Sequence, residues 1–257
     1  MYDFIVCSVF KNESHILDEW ISHYLLHGVD HIYLVNDFST DSYHEIIEKY
    51  ADRVTLFHND IVTKEVGRQP QIYEKYFTPL LSTAKWMSIM DLDEFLYSPE
   101  TINIKQVLSE YSEYSQILVD WVHFGSNGHV KQPPSAVEGF TMRAHSRESG
   151  INARYYGYKS IFKCEQLKTF DIHSSNVDGD DLRIIDTPEA KLLINHYNIQ
   201  SLEFFINVKG TRGDVNNWFD HMRLQRNKEL FAEYDVNAIE DLRLYNQNKN
   251  HSANFLQ

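Results

Sequence analysis

The sequence predicts an α/β protein with a mostly parallel sheet flanked by helices and a helical C-terminal segment. Three observations carry that expectation. Apolar runs of strand length alternate with helical apolar periods through the first hundred residues, the pattern of βαβ units. Polar clusters at 11–13, 36–41 and 91–94 fall just past three of those runs. A length of 257 residues, 42% of them hydrophobic, suffices for one large α/β domain or two small ones.

The elements follow in order. Phe4 to Phe10 is an apolar run suited to a strand covered on both faces. Asn12 is placed to cap the next helix, where Ile16, Leu17, Trp20, Ile21, Tyr24 and Leu25 recur at helical spacing until Gly28. His31 to Asn36 is a second strand that ends in the turn Asp37-Phe38-Ser39-Thr40-Asp41. A short helix carries Ile46, Ile47 and Tyr50 on one face, and Val54 to His58 is a third strand. Ile72, Tyr73, Tyr76, Phe77 and Leu80 define a helix kinked or ended near Pro79. Trp86 to Met90 then runs straight into Asp91-Leu92-Asp93-Glu94. Parallel sheets built this way bind ligands beyond the carboxyl ends of their strands, where all three polar clusters fall.

After residue 100 the pattern loosens. Strands are expected at Ile117–Val122, Ser160–Cys164 and Lys191–Asn195, with loops around Gly125–His129, Pro133-Pro134 and Gly139. Helix is expected from about residue 200, ending in a polar tail from about Asn246.

The formal net charge is −13, from 24 basic and 37 acidic residues. Nucleic acid and anionic membrane need concentrated Lys and Arg, so neither is expected as the main partner. A phosphate ester bound to so acidic a chain needs a local cation, which makes a metal ion a natural companion. Cys7 and Cys164 are the only cysteines, and Cys7 lies in an apolar run, as a buried thiol in a reducing compartment would. No apolar stretch approaches the roughly 20 residues that span a bilayer. A cytoplasmic protein is expected, free or held peripherally at a membrane.

The acidic turn is the strongest chemical signal. An extended Asp-x-Asp presents Asp91 and Asp93 on one side of the backbone, because strand side chains alternate. Two such oxygen donors suit Mn²⁺ or Mg²⁺, which also bind substrate phosphates; the bland alternative is a solvated acidic turn. A histidine suits a third ligand, and among 13 the best placed is His196, directly after Leu192-Leu193-Ile194, with His173 as the alternative. Lys209 and Arg212, among Gly210 and Gly213, form a basic segment able to neutralise a diphosphate, unless they only favour a helix end.

Several stretches, taken in order, resemble a known group of enzymes. They are Cys7 to Glu13, Glu19 to Tyr24, Gly28 to Tyr33, Asn36 to Asp41, Lys85-Trp86 before Asp91 to Phe95, Trp121 before Phe124 to His129, and Asn195-His196-Tyr197 before Ser201-Leu202-Glu203. Together they are similar to glycosyltransferases of family 2 and family 92 over most of residues 4 to 213. The resemblance implies the GT-A fold and metal-dependent transfer of a hexose or pentose from a nucleotide diphosphate donor, a UDP-sugar first, to a hydroxyl of a glycan or glycoconjugate, with inversion. It divides the chain into a transferase domain, 1–215, with a nucleotide-sugar half (1–100) and an acceptor-side half (101–215), and a helical extension with a polar tail, 216–257. Carried over residue by residue, Asn12, Glu13, Asp37 and Ser39 meet base or ribose, Asn36 and Gln71 are further donor-side candidates, and Asp91 and Asp93 hold the metal and diphosphate. An inverting transfer also needs a base for the acceptor hydroxyl. Asp120 is the first candidate, with Asp214 and Glu148 behind it. A nucleotidyltransferase, or a non-catalytic binding protein on a degenerate transferase fold, remains the alternative.

Overall fold

The computed structural model describes residues 1–62, 67–145, 157–212 and 226–255, the last four without their side chains. Its first half is β1 (Tyr2–Phe10), α1 (Ser14–Leu26), β2 (His31–Asn36), α2 (His44–Glu48), β3 (Val54–His58), α3 (Arg68–Phe77) and β4 (Ala84–Ile89). β1 pairs in parallel with β2 on one side and β4 on the other, and β2 pairs in parallel with β3. The order β3-β2-β1-β4 therefore reverses direction at β1, and the ends of β1 and β4 flank the crevice such a switch opens.

β1 is buried from Phe4 to Phe10 because both its faces are covered. Phe4, Val6 and Phe10 join Trp20, Ile21 and Tyr24 of α1 in one core. Ile5, Cys7 and Val9 point the other way, to Ile72, Tyr73 and Phe77 of α3. Gly28 has φ 90°, and a Cβ there would lie 2.4 Å from the Asn103 side chain, so α1 must end on glycine. α3 stops at Phe77, and Pro79 lies in the 3₁₀ turn that follows.

The start of α1 departs from expectation. Glu13 takes the cap position without a capping hydrogen bond. Asn12 sits in the left-handed region at φ 52°, and its Oδ1 accepts from Thr40 N at 2.7 Å. Asn12 ties the loop after β1 to the loop after β2, so its side chain is not available to the helix.

The second half contains β5 (Glu94–Tyr97), α4 (Ile104–Glu110), β6 (Gln116–His123), α5 (Ala136–Gly139), β7 (Met142–Arg143), β8 (Tyr158–Lys163), β9 (Leu167–Thr169), β10 (Asn176–Val177), β11 (Asp181–Ile184) and β12 (Leu193–His196). α6 (Leu202–Phe204) continues into a wider π turn, Phe205–Lys209, and α7 (Lys228–Tyr234), β13 (Ile239–Glu240) and α8 (Arg243–Phe255) complete the fold. The sheet runs on from β4 through β8, β6 and β12 to β5, with β11 also on β6. β8 is antiparallel to both β4 and β6, and β5 is antiparallel to β12, so the parallel first half gives way to mixed pairing. The result is the expected α/β arrangement, a sheet flanked by helices, with antiparallel pairing added in its second half.

Helix extends past Asn246, where a polar tail was expected to begin. α8 reaches Phe255, buries Leu244, and docks through Gln247 Nε2 to Ser98 O (2.8 Å) and Asn248 Oδ1 to His27 Nε2 (3.0 Å). β13 pairs antiparallel with β7.

Candidate active site

β4 ends at Ile89, and the next residues form a tight turn. Glu94 N donates to Asp91 O at 3.0 Å, and Asp91 N donates back to Glu94 Oε2 at 2.9 Å. The expected alternation of Asp91 and Asp93 along an extended strand is therefore corrected: the turn, not a β pleat, sets the two carboxylates. α1 holds this turn from below. Trp20 Nε1 donates to Asp91 O and Glu94 O, and Tyr24 OH donates to Glu94 O, at 3.0–3.1 Å. The helical spacing of α1 thus serves the site as well as the core.

Each aspartate faces a buried lysine. Asp91 Oδ2 lies 3.0 Å from Nζ of Lys159, a β8 residue whose side chain is 1% exposed while that of Asp91 is 41% exposed. Lys159 is also 3.5 Å from Glu94 Oε2. Burial alone would depress the Lys159 ammonium, but Asp91 and Glu94 reverse that and hold it above the ordinary lysine value. Burial pushes the Glu94 carboxyl well up, against the pull of Lys159. Asp93 Oδ2 accepts from Lys209 Nζ, and Asp93 Oδ1 is 3.5 Å from His196 Nε2. Burial works against the Asp93 charge, yet Lys209 and His196 together hold its carboxyl well below the usual range. Lys209 is itself pulled down to about 8, first by burial and then by Arg226 and Arg212, against the pull of Asp93.

β6 and β12 bring aromatic rings to the same place. The His196 ring lies 4.5 Å from Trp121 and 4.9 Å from His123, and His173 meets the edge of Trp121 at 5.3 Å. His196 and His123 are register partners, and Trp121 lies two residues from His123 on the same face of β6. Lys159, Trp121 and His123 were not legible as a unit, since the β6–β8–β12 register brings them together; the i, i+2 spacing of Trp121 and His123 was the available signal.

The expected metal trio is only partly assembled. Asp93 and His196 converge, His196 Nδ1 is buried without a hydrogen-bond partner, and carboxylate beside imidazole is a donor set that suits Mn²⁺. Asp91 is turned to Lys159, and among the described residues no group of three or more His, Cys, Asp or Glu is disposed to hold a metal ion. His173 meets the edge of Trp121, and Lys159, Asp91 and His196 are near enough to act on its imidazole. A divalent ion bound through one or two protein donors plus substrate phosphates fits this pair; an all-protein cage does not.

The donor-side residues gather between the ends of β1 and β2, largely in bonds to one another. Asn12 N donates to Ser39 Oγ at 3.0 Å, Ser39 N to Asn36 Oδ1 at 2.8 Å, and Asn36 Nδ2 to Tyr43 OH at 2.8 Å. Glu13 is buried and accepts Arg212 Nη1 at 2.8 Å, and Arg212 also donates to Lys11 O at 3.0 Å. Asp37, placed against base or ribose by the resemblance, is fully buried, with its carboxylate forked onto the equally buried Arg68 and accepting from Asn59. Its oxygens shape the loop rather than face a nucleoside. Gln71 lies on the exposed side of α3, whose inward face carries Arg68, Gln69, Ile72 and Tyr73.

Asp120, the first candidate for the acceptor base, is not brought to the acidic turn. It alternates with Trp121 on β6, so it projects to the face opposite the aromatic rings, where Arg183 holds it at 2.9 Å. Asp214 and Glu148 lie outside the described residues.

The acidic turn after β4 thus meets two buried lysines and a histidine at the carboxyl ends of the central strands. The profile of glycosyltransferase family 92 matches residues 79–243, and this chain belongs to that family. A family 92 protein of Ricinus communis is 25% identical over 224 residues, covering 79% of this chain and 36% of its own. One of Oryza sativa subsp. japonica is 27% identical over 212 residues, covering 78% and 34%. A galactan β-1,4-galactosyltransferase of Arabidopsis thaliana is 27% identical over 145 residues, covering 49% and 26%. The chain thus spans about a third of the length of the curated relatives it matches. Among solved structures, S. aureus TarS 1–349 in complex with UDP aligns with a TM-score of 0.44 at 13% identity, over 75% of this chain and 60% of that one. HddC of Yersinia pseudotuberculosis aligns at 0.40 and 10% identity, over 75% and 92%. Among the described residues no helix is long and apolar enough to cross a membrane.

Proposed function

We propose that this chain transfers a sugar from a nucleoside diphosphate donor to a hydroxyl of a glycan. The observation that carries the reading is the convergence of Lys159, Lys209, Asp91, Asp93 and His196 at the end of β4, beside the loop that follows β1. The bond from the anomeric carbon to the diphosphate breaks, and a bond from that carbon to the acceptor oxygen forms. Negative charge collects on the departing diphosphate, and preorganised cations in a buried site are worth most against such charge. Lys159 and Lys209 supply two, and the Glu13–Arg212 pair braces the loop between them and β1.

Mn²⁺ or Mg²⁺ would be held by Asp93 and His196 and would supply Lewis-acid stabilisation of the diphosphate. The nucleoside lies against the knot of Asn12, Asn36 and Ser39, and UDP is the first nucleotide to test. Inversion needs a base to take the acceptor proton, and Asp214 and Glu148 are the remaining candidates. A relative named for galactan makes galactose the first sugar to test. The deciding experiment measures nucleotide release from UDP-, GDP- and TDP-sugars with Mn²⁺, with and without a glycan acceptor. Donor-dependent release is expected. Nucleotide binding without release from any donor would leave the non-catalytic reading in its place.

A further inference from the structure

The molecule has a concavity beside the loop that follows β1. A cleft of about 580 Å³ opens between the start of α1, the loop after β2 and the segment that runs from α6 into the π turn. Its lining is mixed: Thr40, Asp41, Gln132, Glu203, Asn207 and Thr211 contribute hydroxyls, amides and carboxylates, Val208 contributes apolar surface, and Asn12 is shared with the knot between the ends of β1 and β2. Phe204 adds a ring, packed 4.4 Å from the ring of His15.

Two features set the chemistry of its occupant. The first is charge. Arg212 is the lining cation, and its guanidinium is already bound to Glu13, whereas Asp41 and Glu203 bring negative charge. A nucleoside diphosphate in such a cleft meets net repulsion and no surplus cation. A neutral ligand rich in hydroxyls meets paired donors and acceptors. The second is construction. Gln200 is 1% exposed and holds a left-handed backbone at φ 51°, which a non-glycine residue adopts only where its surroundings compel it. Its Oε1 accepts from His15 Nε2 at 2.9 Å and from Gln132 Nε2 at 2.8 Å. One strained, buried amide thus pins two lining side chains that lie far apart in the sequence. Ser201, beside it, caps α6 by accepting from Phe204 N, so the wall opposite α1 is fixed as well.

We infer that this cleft is a subsite for a neutral carbohydrate segment, adjoining the Asn12 knot and engaging the glycan at sugars away from the reacting hydroxyl. The inference rests on the glycosyl-transfer reading for its biological sense, but its test does not use activity. Full-length chain is titrated, without nucleotide or metal, with β-1,4-galactotetraose, cellotetraose and maltotetraose, and in parallel with UDP, by calorimetry. At least one tetrasaccharide is expected to bind wild type. Asn207→Trp, an exposed position that fills the cleft, and Gln132→Ala should each weaken that binding by about tenfold or more, about 1.4 kcal/mol, at unchanged melting temperature and unchanged UDP affinity. Absence of binding by all three tetrasaccharides overturns the inference, and so does binding that neither variant alters. Loss of UDP binding in Asn207→Trp would reassign the cleft to the donor. Tetrasaccharide binding in a chain that releases no nucleotide would keep the cleft and remove the transferase reading.

Discussion

Asp93 shows how one side chain serves stability and chemistry at once. Its carboxylate balances Lys209, whose ammonium is 3% exposed, and removing one partner of a buried pair strands the other, at about 3–5 kcal/mol. Asp93→Asn is therefore expected to abolish nucleotide release and also to lower the melting temperature. Asp93→Asn with Lys209→Met should recover much of the stability and none of the turnover. Recovery of turnover in the double variant, or full turnover in the single one, would remove Asp93 from the chemistry. Asp37 and Arg68 pose the purely structural version: Arg68→Met should cost about 3–5 kcal/mol in urea unfolding, because Asp37 is left buried with only Asn59 for support. The acidic turn was legible in the sequence because three carboxylates in four residues stand out after an apolar run. Lys159 and Arg68 were not: a single cation in a strand or on a helix looks like a solvated residue until register and packing bury it. Asp120 misled for the related reason that one residue along a strand is the other face.

At the scale of elements, β1, α1, β2, β3, α3 and β4 followed from periodicity alone, because each buries a regular face. The direction of β8 did not, since an apolar run carries no mark of which way it will pair, and β5 was not expected as a strand. Helix was expected from about residue 200, but α8 continues past Asn246, where polar contacts to Ser98 and His27 hold it. That docking has a pH signature. His27 is buried beneath α8 and drawn down to about 4, mainly by burial and with His251 nearby, against the pull of its bond to Asn248. Its folded value thus lies below the unfolded value of about 6.5. The unfolded chain binds more protons between those values, so the contribution is fully present above about pH 6.5 and is lost as pH falls toward 4. The full shift corresponds to about 3 kcal/mol. Urea midpoints should fall across this window, and His27→Gln should flatten the fall; an equal slope in the variant would clear His27. His23, packed against His27 and also lowered by burial, accounts for part of what remains.

The whole molecule sets the field in which donor and acceptor arrive. The net charge is −13, and the cations assigned to the diphosphate are buried, so an approaching nucleotide sugar meets the repulsion of the surface before the attraction of the site. Repulsion between exposed charges reaches about 30 Å at 0.01 M salt and only about 8 Å at 0.15 M, while buried pairs are screened far less. Added salt should thus weaken the repulsion more than the binding. The KM for the nucleotide sugar is expected to fall between 0.01 M and 0.15 M NaCl at constant Mn²⁺, chiefly through faster association. Binding of a neutral tetrasaccharide in the Gln132–Asn207 cleft should not change over the same range, because the ligand itself carries no charge. Stopped-flow association of UDP and calorimetry of the tetrasaccharide read the two responses separately. A UDP association rate that drops as salt rises would mean that exposed cations steer the donor, and the buried lysines would then not be its first point of attraction.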